Sequence, residues 1–302
     1  MSAAGVEAGV LLAHKCVGRT SHAVVAEIMA EIAADRGRRR VRVCHGGALD
    51  PFAHGLLLLL AGPMTRAMDA LHGLPKRYVA EVRWGEETDN GDLLGRVVRT
   101  GDATGIDVER LNAALPPFLG WTDQVAPATS NKRIDGERAY EKAHRGEEFV
   151  LPPSRVYLHS AAWLGHDLPR ASRIALVCRG GYYVRSFVRD LGRAVGVPAH
   201  VGALERTHIG PWADPGEGNR TSIRGRDAFC WCPERVVTDA ELGALRQAGA
   251  IGAGVVSTPR WVPPLGYLAL DAPACAIHRE HAVGLLRPEG AGWRRVVDVE
   301  GV

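Results

Sequence analysis

The chain has 302 residues, of which 46% are apolar and 24% charged, and its formal net charge is +3. That composition excludes general disorder and leaves room for one large domain, or for a domain of about 200 residues with a small companion. The mild basicity does not by itself assign a polyanionic partner. The longest leucine-rich stretch, Leu56 to Ala61, is far too short to cross a bilayer, so no membrane association is expected.

Gly9 to Ala13 reads as a short buried strand. Gly18-Arg-Thr-Ser21 is a turn in which Thr20 or Ser21 can cap a helix, and Val24, Val25, Ile28, Met29 and Ile32 follow at helical spacing. Gly37, inside the arginine run Arg36, Arg38, Arg39, Arg40 and Arg42, is expected to end that helix. Gly46-Gly47 and Asp50-Pro51 mark a loop, and the leucines after them a buried element. Tyr78 to Trp84 alternates as a half-buried strand. Asp107 to Leu115 is a short helix stopped by Pro116-Pro117. Residues 122–153 are polar, with prolines towards both ends, and form an excursion from the core with a short helix near Ala139–Arg145. Ser154 to Leu164 and Arg173 to Cys178 read as strands, and Arg185 to Val195 as a helix ended by Gly196 and Pro198.

The composition changes after Pro211-Trp212. Asp214 to Gly225 looks like a linker, and the rest holds a helix near Asp239–Ala248 with several short strands. Strands and helices do not alternate strictly, which favours an α+β fold. The expected domains are 1–212 and a small β-rich region, 213–302. The N-terminus lacks a charged-then-apolar signal pattern, and the six cysteines are scattered, so a reducing cytoplasm is expected. Cys230-Trp-Cys232 is the one close cysteine pair; four-ligand zinc spacing is missing, and no metal is expected.

The chemistry centres on His45-Gly-Gly-Ala-Leu-Asp-Pro-Phe-Ala-His-Gly55, where one carboxylate, Asp50, sits in a glycine-rich loop. A lone loop aspartate is usually a turn or cap residue. Yet the segment resembles the signature of the TruB family of pseudouridine synthases, G-H-x-G-T-L-D-P-x-A-x-G, and further blocks resemble that family in the same order. Gly9 to Ser21 is similar to its opening G-x-L-x-x-D-K-P-x-G-x-T-S, and Lys76-Arg-Tyr78 to its K-x-Y strand start. Gln124 to Arg133 with Gly136 is similar to its Q-x-P-P-x-x-S-A-x-K-x-x-G insertion. Cys178 to Gly192 and Ala199 to Arg206 are similar to its C-x-x-G-x-Y-x-R-x-x-x-x-D-L-G and A-H-x-x-x-L-x-R blocks. Together they span about residues 9–212.

The resemblance implies a pseudouridine synthase fold, with a central mixed or antiparallel sheet flanked by helices, and a catalytic domain over 1–212 whose insertion 122–153 clamps RNA. The region 213–302 is then similar to the family's small PUA-like domain. The implied reaction is isomerisation of uridine to pseudouridine in the T-loop of tRNA, at position 55, by a cytoplasmic monomer that needs no cofactor. Catalysis is assigned to Asp50, Tyr78 and Arg185: Asp50 as the ionised acid, Arg185 as its guanidinium partner, and Tyr78 against the everted uracil. Tyr183 and Leu204 would line the pocket, and His45 would fill or brace the space left by the nucleotide. Lys15, Lys76, Arg77 and Arg133 are candidate phosphate contacts. Arg179, Arg185, Arg189 and Arg193 add to the basic character.

His14, Cys16, Cys44, Ala48, His54 and Arg66 depart from the family pattern, as does Ala126 to Arg133. They bear on substrate choice more than on chemistry. Two other readings are an RNA-binding or tRNA-folding module with little activity, and the same chemistry on a different RNA.

Overall fold

The structure is a computed structural model that describes residues 9–35, 41–134, 136–262 and 273–298. The expectation for Gly37 and for Arg36, Arg38, Arg39 and Arg40 lies outside the described residues. The chain forms two compact units, Met1–Pro75 with Thr207–Val302, and Lys76–Arg206.

In the first unit the strand Gly9–Lys15 pairs along its whole length, antiparallel, with His54–Ala61. The leucine run explains itself here. Leu56, Leu58 and Leu60 join Val10 and Leu12 in a core with Phe229, Trp231, Ile277 and Leu285. Leu57 and Leu59 join Leu11 and Ala13 against Val24, Val25, Ile28 and Ile32 of the helix Ser21–Asp35. A strand buried on both faces needs no polar alternation. Each fully buried leucine contributes about 2 kcal/mol, so the strand pair is anchored from two sides. Thr20 is the residue that caps the helix: its hydroxyl accepts the Ala23 N–H at 3.0 Å.

The stretch 214–225 is not a bare linker, which corrects the sequence expectation. Arg220–Ile223 adds a strand to the free edge of Gly9–Lys15, and Arg220 bridges Glu27 and Glu31 of the helix. Strand addition uses main-chain groups, so a polar composition does not forbid it. The remainder bears out the β-rich reading. Five strands run in the order Glu234–Val236, Ala274–His278, His281–Glu289, Gly292–Asp298, Ala250–Ile251. The helix Asp239–Gln247 starts in a capping box between Thr238 and Glu241.

The second unit is built on an antiparallel sheet of Lys76–Trp84, Ala171–Cys178, Ser154–Asp167 and Gly120–Gln124. The helix Val184–Ala194 lies against Lys76–Trp84. Asp107 caps the helix Val108–Ala114 through the Arg110 N–H at 2.7 Å. Because Gln124 pairs with Ser154, residues 122–124 belong to the sheet and the excursion proper is 125–153. It holds the helix Ala139–His144 and a small core of Ala126, Ala139 and Leu151, against which Ile134, Phe149 and Tyr183 pack. The strand Ala199–Ile209 has no counterpart in the sequence reading. Among the described residues no helix is long and apolar enough to cross a membrane.

Candidate active site

The Asp50 loop is held from beneath by the segment that opens the chain. Lys15 is fully buried, and its ammonium donates to the carbonyl oxygens of Ala53 at 2.6 Å, Arg19 at 2.8 Å and Cys16 at 3.1 Å, with the Pro51 carbonyl 3.5 Å away. The Pro51 carbonyl also accepts the Gly18 N–H at 2.8 Å. On the other side of Asp50, the Ser21 hydroxyl accepts the Leu49 N–H at 2.8 Å and lies 3.2 Å from the Leu49 carbonyl, to which it donates. Gly47 has φ 136°, a conformation that side-chain-bearing residues rarely adopt. The loop is thus fixed immediately before and after the acid, while the Asp50 side chain stays partly exposed. A carboxylate presented this way loses little freedom when a substrate arrives.

This corrects the reading of Lys15 as a phosphate contact. An ammonium that is 0% exposed and coordinated by several carbonyls is a loop clamp. His14, which stands where the family opening carries an acid, is paired instead with the carboxylate of Asp214 at 2.7 Å. His45 ends the strand Val43–His45, opposite Leu59, and is half-buried.

In the second unit Tyr78 faces inward from Lys76–Trp84, opposite Leu176, and Leu204 is buried on Ala199–Ile209. Lys76 shares the inward face of Tyr78 and is 3% exposed, so it too is corrected from a phosphate contact to an interior group. Burial, with Arg206 as a nearby like charge, pushes its ammonium down to about 7. Burial also pushes the thiol of Cys178, its cross-strand partner, up to about 12. Arg77 and Arg133 are exposed, and Arg133 donates to the Gly136 carbonyl at 2.8 Å.

The helix Val184–Ala194 presents Arg185, which is 4% exposed. Its Nη1 donates to the Asn90 carbonyl at 2.9 Å and to the Thr129 hydroxyl at 2.7 Å, and lies 3.5 Å from an Asp92 carboxylate oxygen. Tyr183, just before the helix, is half-buried and exchanges two main-chain bonds with the Gln124 amide: its N–H donates at 2.9 Å and its carbonyl accepts at 3.0 Å. A cavity of about 270 Å³ opens beside Arg185, lined by Asn90, Gly91, Val125, Pro127, Phe149 and Arg189 among others. Of the arginines read as a basic cluster, Arg189 is paired with Asp190 and Arg193 with Glu87.

Asp92 and Gln124 are the residues that sequence reasoning passes over as site components. Asp92 is 4% exposed and orders its own loop by accepting from the Leu94 N–H at 2.8 Å and the Asn90 amide at 2.9 Å. The spacing Asp89, Asn90, Asp92 reads as an ordinary turn, and the signal that sets it apart, a buried arginine 93 positions later, is spatial.

A model of the TruB family pseudouridylate synthase N-terminal domain matches residues 36–184. The chain is 37% identical over 210 residues to the tRNA pseudouridine synthase B of Bordetella avium (strain 197N), covering 68% of this chain and 82% of that protein. To the protein of the same name from Dinoroseobacter shibae it is 38% identical over 204 residues, covering 68% and 65%. Among solved structures, the fold is similar to a chain of a Cbf5-Nop10-Gar1 complex, with a TM-score of 0.65 at 20% identity over 97% of this chain and 84% of that one. A chain of an H/ACA RNP bound to a substrate RNA containing 2′-deoxyuridine gives a TM-score of 0.65 at 18% identity, over 97% and 86%. The likeness to the solved structures shows the pseudouridine synthase fold, and the identity to the relatives shows descent: this chain is an isomerase belonging to the TruB family of pseudouridylate synthases.

Proposed function

We propose that the enzyme converts a uridine of tRNA to pseudouridine, at position 55 in the T-loop, with Asp50 as the catalytic carboxylate. The observation that carries this reading is the built loop around Asp50: the acid projects from a segment whose main chain is pinned on both sides, in a chain whose relatives bear the name tRNA pseudouridine synthase B.

The reaction breaks the N1–C1′ glycosidic bond, turns the uracil and joins C5 to C1′. The proton on C5 is lost and N1 takes one up, so atoms balance without an oxidant, a reductant or a cofactor. Asp50 acts as the ionised carboxylate, and Arg185 supplies a guanidinium to the reaction. The uridine is everted from the folded RNA and stacked on Tyr78, with Tyr183 and Leu204 as further pocket walls and His45 bracing the vacated position. Arg77 and Arg133 are the phosphate contacts that remain after Lys15 and Lys76 are assigned to the interior. The excursion 125–153 is the element that grips the T-arm. The catalytic domain is taken as 1–212 and the C-terminal domain as 213–302, acting in a cytoplasmic monomer.

The test is a single-turnover reaction of the protein with unmodified tRNA transcript, followed by mapping of pseudouridine. Product at position 55 is expected. Product at another position, or only in other RNA, would retain the chemistry and overturn the substrate. Tight binding of tRNA with no product would overturn the enzymatic reading.

A further inference from the structure

The excursion and the buried arginine of the second unit are joined by one side chain. Nη1 of Arg185 has two hydrogens, and two acceptors on different segments engage it: the Asn90 carbonyl at 2.9 Å and the Thr129 hydroxyl at 2.7 Å. The Thr129 carbonyl lies 3.4 Å from Nη2. The acceptors differ in how they are held. Asn90 belongs to a loop tied into the sheet, where the Val201 N–H donates to the Gly91 carbonyl and the Leu93 N–H to the Val201 carbonyl, each at 3.0 Å. Gly91 lets that loop approach closely, since a Cβ there would stand 3.3 Å from the Arg185 Cβ.

Thr129, by contrast, sits on the entry of the excursion. That entry and the strand end leading into it are stapled to the start of the helix Val184–Ala194 at three points. Gln124 binds the Tyr183 main chain, the Val125 carbonyl accepts from the Ser186 hydroxyl at 2.7 Å and from Arg189 at 3.1 Å, and Thr129 takes Arg185. Bonds to a charged donor are the stronger kind, and a planar guanidinium held from two sides cannot turn in its plane.

We propose that Thr129 is a positioning residue for the reaction: its hydroxyl sets the orientation of the Arg185 guanidinium and makes that orientation depend on the seating of the excursion entry. The inference rests on the reading that Arg185 serves catalysis. It adds a residue at which the RNA-gripping element and the chemistry meet.

The experiment compares wild type, Thr129→Val, Thr129→Ser and Arg185→Lys in the full chain. It measures single-turnover pseudouridine formation at saturating protein, tRNA affinity by filter binding, and thermal unfolding. Valine keeps the shape and removes the acceptor. Loss of a hydrogen bond to a charged group is expected to slow Thr129→Val by about ten- to a hundredfold, with tRNA affinity within about threefold of wild type. Thr129→Ser, which keeps the hydroxyl, restores the rate to within about threefold. A wild-type rate in Thr129→Val beside a slow Arg185→Lys would overturn the proposal and leave the role of Arg185 standing. Wild-type rates in both would overturn the proposal together with that role. Equal slowing by valine and serine, or a defect confined to affinity, would also overturn it, since neither follows from a lost acceptor.

Discussion

The ammonium of Lys15 lies 2.6 Å from the carbonyl oxygen of Ala53, three residues beyond the acid of the loop it supports. Lys15 belongs to the strand Gly9–Lys15 and Ala53 to the segment entering the strand His54–Ala61, so one buried side chain ties the opening of the chain to the carboxylate-bearing turn. Replacing it by methionine removes the donor and keeps the bulk. Several carbonyls would then be buried without it, at about 1–3 kcal/mol each before relaxation. Lys15→Met should therefore lose about 3 kcal/mol of stability in urea denaturation and most of its turnover. An unchanged unfolding midpoint would show that the clamp is ornamental.

Asp50→Asn should abolish pseudouridine formation while leaving tRNA affinity nearly unchanged. The substitution is isosteric, and Lys15, Gly18 and Ser21 hold the loop's main chain on both sides of the acid. A variant that kept the wild-type single-turnover rate would remove Asp50 from the chemistry. One that lost affinity and rate together would point to a binding role.

Lys76 gives the fold a pH dependence with a definite sign. Its folded value is depressed to about 7, so between pH 7 and its ordinary value the unfolded chain holds a proton that the folded chain has shed. Stability is therefore complete above the ordinary lysine range and is lost as pH falls toward 7. Between pH 7 and 9.5 wild type should gain about 3 kcal/mol relative to Lys76→Met, which carries no such proton. Parallel stability curves for the two proteins over that range would contradict a neutral interior lysine.

If Arg77, Arg133 and a few further cations neutralise phosphates, tRNA binding must release counterions. About four phosphate contacts weaken binding roughly a hundredfold between 50 and 200 mM salt. Titrations at several salt concentrations give the slope directly. A flat response would argue against RNA as the partner, and Arg133→Ala should reduce the slope by about one contact.

Much of this was legible in order along the chain. The helix after Gly18, the strand through Tyr78 to Trp84, the short helix ahead of Pro116-Pro117 and the helix after Tyr183 all follow from local periodicity and breakers, and the structure forms them. The strand Ala199–Ile209 escaped because His200, Thr207 and His208 interrupt its apolar pattern. The strand Arg220–Ile223 escaped because an edge strand needs only main-chain groups, which every residue carries.

The sequence by itself determined which acid to watch, since Asp50 stands in a block of residues whose types and spacing are specific, and it determined the family. It could not decide what the charged residues around that acid do. Read alone, Lys15 and Lys76 are candidate phosphate contacts, and nothing local singles out Asp92 or Thr129. Only the tertiary structure buries the two lysines and sets Asp92 and Thr129 around Arg185. The physical reason is range. Propensity, capping and periodicity act over a few residues, whereas the burial of a charge and the identity of its partners are settled by segments far apart in sequence, and desolvation makes those partners obligatory.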